Sequence, residues 1–344
     1  MPDQQTTRSS LDSPNAAEAD PLTRGVLARA ALGGALMGLA NLVPGISGGT
    51  MLVAAGVYTR FIDAISDATR LRLTRETILT LGVIVGSAVI AIGALAGLIS
   101  FALAEFRWGM YSLFIGLTLG GVPILWNMVK PASPATIAGA VAGIAVMIAL
   151  VLFQSADATG SASEASWAPL ILAGMAGASA MILPGISGAY LLLILGQYEN
   201  IISVVKETVK AATAADIDGI LAGAGTLIPV GIGVVLGVAI VGNVLRFVLH
   251  RYEKTTLGFL LGLLIAAPAG LYPFKEGVPP QVGETFEGQP ITEESIEDID
   301  PKDWPERSFT PAITHLAGSA ALIGAGIAAT LAVGRLGRER KPQN

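Results

Sequence analysis

The chain of 344 residues contains no cysteine. That absence excludes disulfides, thiol nucleophiles and cysteine-ligated metals. Histidine is scarce: His250 and His315 stand near the ends of apolar segments, far apart in sequence. There is no HExxH and no G-x-x-x-x-G-K-[ST] phosphate loop. Charge is scarce as well, at 14% of residues, where a soluble domain carries about 25%. A histidine-centred enzyme is therefore not expected, and neither are a metal site, a cofactor or a nucleic-acid partner.

What the chain has is apolar: 52% hydrophobic residues and a mean hydropathy of +0.65. Runs long enough to cross a bilayer, about 20 residues, occur at 78–103, 109–129, 133–153, 220–249, 255–273 and 311–334. The pattern predicts an all-α polytopic membrane protein. Residues 1–24 are polar and lack an apolar h-region, so they read as a disordered tail and not as a signal. From Glu276 to Glu306, ten carboxylates face one lysine, Lys302. That composition reads as a solvated acidic loop over 275–309, and 335–344 as a basic tail.

Two apolar stretches carry the same interruption: "NLVPGISGGT" at 41–50 and "ILPGISGAY" at 182–190. Val43 to Gly48 falls on Leu183 to Gly188 at an offset of 140, and Gly56 and Tyr58 fall on Gly196 and Tyr198. Further on the offset becomes 146, where "LFIGL" at 113–117 faces "FLLGL" at 259–263. The third spans open alike, with Ser133-Pro134 and Thr310-Pro311, each a helix cap followed by proline at the first helical position. Two repeats follow, 25–153 and 168–334, each a motif unit plus three transmembrane helices.

The positive-inside rule tests whether the motif unit crosses the membrane. With a cytoplasmic N-terminus and re-entrant motifs, 15 Lys and Arg lie inside against 6 outside; if each motif crosses once, the split becomes 11 to 10. The first count predicts two inverted repeats, each a re-entrant broken-helix hairpin plus three spans, with both termini cytoplasmic. From Thr50 to Arg60 a helix would reach only about 15 Å, half of the roughly 30 Å core. Two short complete spans give the same parity.

Broken backbone at membrane depth is tolerated only where protein or a watery cavity surrounds it. Pro44 and Pro184 lack an N–H, and Gly45, Gly48, Gly49, Gly185 and Gly188 allow turns and close backbone approach. The helix that restarts near Ser47 and Thr50, or near Ser187, offers free N–H groups, hydroxyls and a positive dipole end, a setting for a phosphate or carboxylate. Inverted hairpins would bring the two tips together near the midplane, as in many secondary transporters. The plainer reading is tight helix packing through Gly45-x-x-x-Gly49; recurrence with Pro and Ser weighs against it. Charges in or near the spans are few. Arg246 lies within a span, and Glu105 and Arg107 lie between spans; each reads either as a countercharge for an anionic headgroup or as a snorkelling or surface pair. Tyr58, Tyr198, Trp108 and Trp126 read as interfacial anchors.

These residues carry a resemblance. The doubled PGISG, "LLLILGQYE" (191–199) after the second copy and the "LFIGLTLGGVP" span (113–123) resemble the PopT-type polyprenyl-phosphate translocases, a prokaryotic family long catalogued as a domain of unknown function. The resemblance covers roughly 25–335. It implies flipping of undecaprenyl or dolichyl phosphate across the cell membrane for recycling, with the phosphate held at the paired motifs. The second motif departs from the first, with Ala189-Tyr190 where the first has Gly49-Thr50. The expected partners are the polyprenyl-phosphate lipid, the bilayer and a coupling ion, H+ or Na+. Its rivals are a transporter or channel for a small soluble anion, a lipid-phosphate enzyme, and a non-transporting scaffold.

Overall fold

The computed structural model describes residues 22–42, 47–155, 166–283, 285–286, 289–292, 299, 301 and 304–336. Pro44, Gly45, most of the N-terminal tail, nearly all of the C-terminal tail and much of the acidic loop lie outside the described residues. The protein is mostly helical. The first half comprises α1 (Arg24–Asn41), α2 (Gly48–Ala54), α3 (Tyr58–Thr69), α4 (Arg75–Glu105), α5 (Arg107–Val129) and α6 (Pro134–Ser155). The second comprises α7 (Trp167–Ile182), α8 (Gly188–Ile194), α9 (Tyr198–Thr213), α10 (Ile217–Arg251), α11 (Glu253–Ala266) and α12 (Ile313–Leu336). Among the described residues of the second half, β1 (Lys275–Gly277) pairs antiparallel with β4 (Glu306–Ser308), and β2 (Thr285–Phe286) with β3 (Gln289–Pro290).

The caps follow from local chemistry. Thr23, Thr74, Ser133 and Asp216 each accept an N–H from the first turn of α1, α4, α6 and α10, removing orphan donors. Leu183, before Pro184, is extended (φ −79°, ψ 125°); the proline ring bars it from the helical region and so ends α7. Gly56 and Gly196 turn the chain at φ +69° and +65°, so the arm from Thr50 to Arg60 is not one helix. It is the end of α2, a glycine turn and the start of α3. Expected positions shift elsewhere too. α12 starts at Ile313, not at Pro311: the Ala312 N–H donates to His315 Nδ1, which serves as the cap. The run 255–273 gives the 14-residue α11 and a 3-10 turn at Ala267–Gly270, because Pro268 has no N–H for the carbonyl of Leu264.

Among the described residues, five helices are long and apolar enough to cross a membrane: Arg75–Glu105, Arg107–Val129, Pro134–Leu152, Ile217–Arg251 and Ile313–Arg335. Their outer faces present Val85, Val89, Ile90, Leu98 and Phe101 on α4, and Val235, Ile240, Val244 and Phe247 on α10. Apolar side chains on an outer face belong in lipid. This is a multi-pass membrane protein.

Glycine sets the helix pairs. A Cβ on Gly34 would lie 2.2 Å from the Ile84 carbonyl, and one on Gly38 2.4 Å from that of Ala88, so α1 and α4 touch backbone to backbone and run parallel. At the repeat-equivalent positions Gly174 meets the Val230 carbonyl, also at 2.2 Å, and α7 runs parallel to α10, with Gly233 on Ile171 and Gly237 on Met175. The third spans exchange partners. α5 pairs with α12 and α11 with α6, again in parallel: Gly116 meets Ile323 and Gly120 meets Thr330, while Gly139 meets Thr255 and Gly143 meets Phe259. These contacts match in pairs. Gly116 on Ile323 corresponds to Gly262 on Ala140, and Gly326 on Leu113 to Gly143 on Phe259. The offset is 146 for α5 and α11 (113 to 259, 116 to 262) and 183 for α6 and α12 (140 to 323, 143 to 326). The two proline pairs, Ser133-Pro134 and Thr310-Pro311, are therefore not equivalent positions.

Candidate functional site

The two broken motifs meet. The Ser47 hydroxyl donates to the Leu183 carbonyl at 2.7 Å, the Tyr58 hydroxyl donates to the Ile182 carbonyl at 3.0 Å, and the Gly185 N–H donates to Thr50 Oγ1 at 3.0 Å. Ile182 and Leu183 close α7, so their carbonyls have no helical partner, and side chains of the other half supply the donors. Ser47 stands at the N-cap of α2 but makes no cap bond, because its hydroxyl is turned across the interface. Ser47, Thr50 and Ser187 are buried, Thr50 completely. The main core surrounds the breaks, with Leu52, Val53, Ile182, Ile186, Leu260, Leu263 and Leu264 in one cluster.

Close backbone approach explains two of the glycines. A Cβ on Gly49 would lie 2.8 Å from the Ile182 carbonyl and 3.2 Å from Pro184 N. Gly185 is left-handed at φ +88°, and a Cβ there would lie 3.0 Å from the Leu263 carbonyl. Gly48 lies over Met37, and Gly188 over the backbone of Gly177, the repeat equivalent of Met37. Ser47, Gly48, Gly49, Thr50, Pro184, Gly185, Ser187 and Gly188 thus line the contact between the tips or flank it.

The singled-out charges lie elsewhere. Arg246 is half-buried; its Nε is 3.1 Å from Asp63, and its Nη1 binds Asp67 and the Ser66 hydroxyl. Asn243, one turn earlier on α10, accepts from Ser66 and Arg70 at 2.7 Å each. Together these contacts tie α3 of the first half to the end of α10. Burial pushes the Asp63 carboxyl above the ordinary carboxylate range, and the neighbouring His250 and Arg246 side chains offset that only in part. Arg107 is 5% exposed at the start of α5 and donates to the carbonyls of Leu103, Trp304 and Pro301. Glu105 is exposed at the end of α4. Tyr58 is buried at the tips and is not an interfacial anchor, whereas Trp126 is 43% exposed.

A sequence profile of the VCA0040-like family, described as undecaprenyl phosphate translocase-like, matches residues 37–285. The chain belongs to this family. A polyprenyl-phosphate transporter of Staphylococcus aureus is 30% identical over 249 residues, covering 70% of this chain and 85% of that protein. A polyprenyl-phosphate transporter of Vibrio cholerae is 29% identical over 286 residues, covering 77% and 84%. No solved structure matches. The region matched by the VCA0040-like profile contains both motifs, Arg107 and Arg246; it ends before Glu306, the carboxylate nearest Arg107 in the described residues. Sequence reasoning missed Glu306, Asp63 and Asp67. Glu306 was one acid among ten, and the i, i+4 spacing of Asp63 and Asp67 on an amphipathic helix gave no sign of a partner 180 residues away.

Proposed function

We propose that the chain flips polyprenyl phosphate, with undecaprenyl or dolichyl phosphate as the carrier, from the outer to the cytoplasmic leaflet of the cell membrane. It acts as a transporter and not as an enzyme. Family membership and the printed function of the two relatives support the substrate class. The observation that carries the mechanism is the hydrogen-bonded contact between the two PGISG breaks. Taking a phosphate across hydrocarbon unaided is prohibitive, because an isolated buried charge is severely penalised. The donors that would replace its hydration are the Ser47, Thr50 and Ser187 hydroxyls and the amides around Pro44, Gly45, Gly48, Gly49, Pro184, Gly185 and Gly188. The tip bonds among them close the site; parting the tips would free those groups for the phosphate while the isoprenoid tail stays in lipid. Arg246 would serve as a countercharge after release from Asp63 and Asp67. H+ or Na+ is the proposed coupling ion.

The parallel registers support two inverted repeats with re-entrant hairpins. α1 runs parallel to α4, and α7 to α10, so each motif unit would return the chain to the side it came from. Three spans then carry the chain across, and the second repeat starts from the opposite face. Leaflet-resolved transport of polyprenyl phosphate in vesicles containing only this protein tests the function. Accumulation in the far leaflet is expected; no transport above protein-free vesicles would refute it.

A further inference from the structure

We propose that this structure is one of two alternating states. Here α3 shuts the cytoplasmic side against α10, and the gap between α9 and α4 admits the phosphate headgroup from the outer leaflet; in the other state α9 closes on α4 and α3 leaves α10. The inference rests on the translocase and inverted-repeat readings above. The two repeats agree within themselves and differ in what crosses between them. α3 packs on α4 of its own half, and α9 on α10 of its own half. α3 also packs on α10, whereas among the described residues α9 makes no comparable contact with α4. At the crossing, a Cβ on Gly242 would lie 2.6 Å from Ile65 Cγ2, and Ile65 and Ser66 are buried. The equivalent stretch of α4 is open: Ala96, which answers Gly242, is not buried, and a Cβ on Gly93 or Gly97 would meet nothing within 4 Å. The valines of α9 that answer Ile65 are exposed as well. Counted from the glycine turns that open the two helices, the equivalent is Val205, at 39%; counted from the left-handed Leu71 and Ala215 that end them, it is Val209, at 57%.

The broken helices differ in the same sense. Met51, Leu52 and Ala55 in and after α2 are buried, while their equivalents Leu191 and Leu192 are partly exposed and Leu195 is 42% exposed. The first motif unit is enclosed, and the second stands partly open. The polar tie is one-sided too. Arg246 on Asp63 and Asp67, and Asn243 on Ser66 and Arg70, join α10 to α3. The equivalent positions on α4 are Ser100 and Gly97, which bring no charge to an outer closure. That closure is therefore the weaker of the two, and the cytoplasmic side is shut at rest. Parting α3 from α10 opens the cytoplasmic side and frees Arg246 in one movement, on the face to which the headgroup is delivered.

A rigid molecule with α9 always in lipid would show the same exposure, and disulfides tell the two apart. The chain has no cysteine, so pairs can be introduced cleanly into the full chain in proteoliposomes. Ile65→Cys with Gly242→Cys sets the two Cβ atoms 3.7 Å apart, within disulfide geometry, and should close quickly under mild oxidation. Ala96→Cys with Val205→Cys, or with Val209→Cys, should close slowly but to completion, as molecules are captured on visiting the other state. Each disulfide should abolish transport of polyprenyl phosphate until it is reduced. Asp63→Asn with Asp67→Asn should speed the outer closure by about two- to fivefold, the scale of partly exposed ion pairs. No outer disulfide in either register refutes the alternation, and so does full transport with the Ile65 and Gly242 positions joined. Ala96, Val205 and Val209 are not buried, so the outer pairs decide the matter even where the Gly242→Cys variant fails to fold. Transport in the same preparation separates the readings. Transport with no outer disulfide sinks only the alternation; both closures in a protein that moves no polyprenyl phosphate sink only the translocase reading.

Discussion

The hydroxyl of Ser47 donates 136 residues along the chain, to the Leu183 carbonyl at the end of a helix in the other half. Its neighbour Thr50 accepts a backbone N–H in return. The two bonds differ in what their loss leaves behind. Ser47→Ala strips a donor from the Leu183 carbonyl, at a cost of about 1 kcal/mol. Thr50→Val, at a site with no solvent exposure, orphans the buried Gly185 N–H and costs about 1–3 kcal/mol. Thr50→Val should therefore lower the melting temperature more than Ser47→Ala, and Ser47→Ala should lose transport beyond what its stability loss explains. Thermal unfolding in detergent beside the vesicle assay checks both; unchanged melting in both variants would show that the tips are not coupled. Much of this contact was legible in the sequence, since Pro with Gly in an apolar run breaks a helix, and broken backbone at membrane depth needs protein or a watery cavity around it. The pairing was not. Nothing local to Ser47 marks Leu183 as its acceptor, and Tyr58 read as an interfacial anchor because tyrosine is enriched at the membrane–water interface.

At the scale of helices, glycine separates contacts that matter from open faces. Gly34 and Gly174 occupy equivalent positions, and in each a Cβ would lie 2.2 Å from a backbone carbonyl that cannot move aside cheaply. Gly82 and Gly86, on α4, have nothing within 4 Å of the added carbon. Gly34→Ala and Gly174→Ala should each destabilise by about 1–3 kcal/mol, the usual cost of overpacking, and Gly82→Ala should be neutral or slightly stabilising. Melting of the three variants in one detergent is the measurement; equal effects would refute the registers. The sequence pattern aligned the third spans on their prolines, a register that the glycine contacts do not keep, because a proline after a serine or threonine looks like a helix start wherever it falls. It also gave no warning of the left-handed Leu71 and Ala215 that end α3 and α9 (φ 59° and 55°), where glycine would be the usual signal. There the Arg72 N–H on the Asp67 carbonyl and the Asp216 N–H on that of Ala211 close the turns without it.

For the whole molecule the decisive quantity is direction. α1 has 18 residues, about 27 Å at 1.5 Å per residue, and its contacts with α4 advance in step, Gly34 on Ile84 and Gly38 on Ala88. Had the motif unit crossed the membrane once, α4 would come back antiparallel to α1. If the motif unit returns, as proposed, α4, α5 and α6 would alternate and deliver α7 to the opposite face. The same argument runs from α7 to α12, and the swapped third-span pairs agree with it: α5 and α12 share one direction, α6 and α11 the other. The charge count over loops gave the same parity without any coordinates, which makes the two arguments independent. Residues 60–76 and the C-terminus should therefore face the cytoplasm, and 276–307 the outside. The chain has no cysteine, so single cysteines at exposed Arg72 and at exposed Arg307, labelled by an impermeant maleimide in intact cells and after lysis, read each side cleanly. Arg307→Cys should react in intact cells and Arg72→Cys only after lysis. Reaction of both from the same side would mean that the motif unit crosses, and the inverted repeat would fall with it; the reverse pattern would keep the repeat and turn the whole protein over.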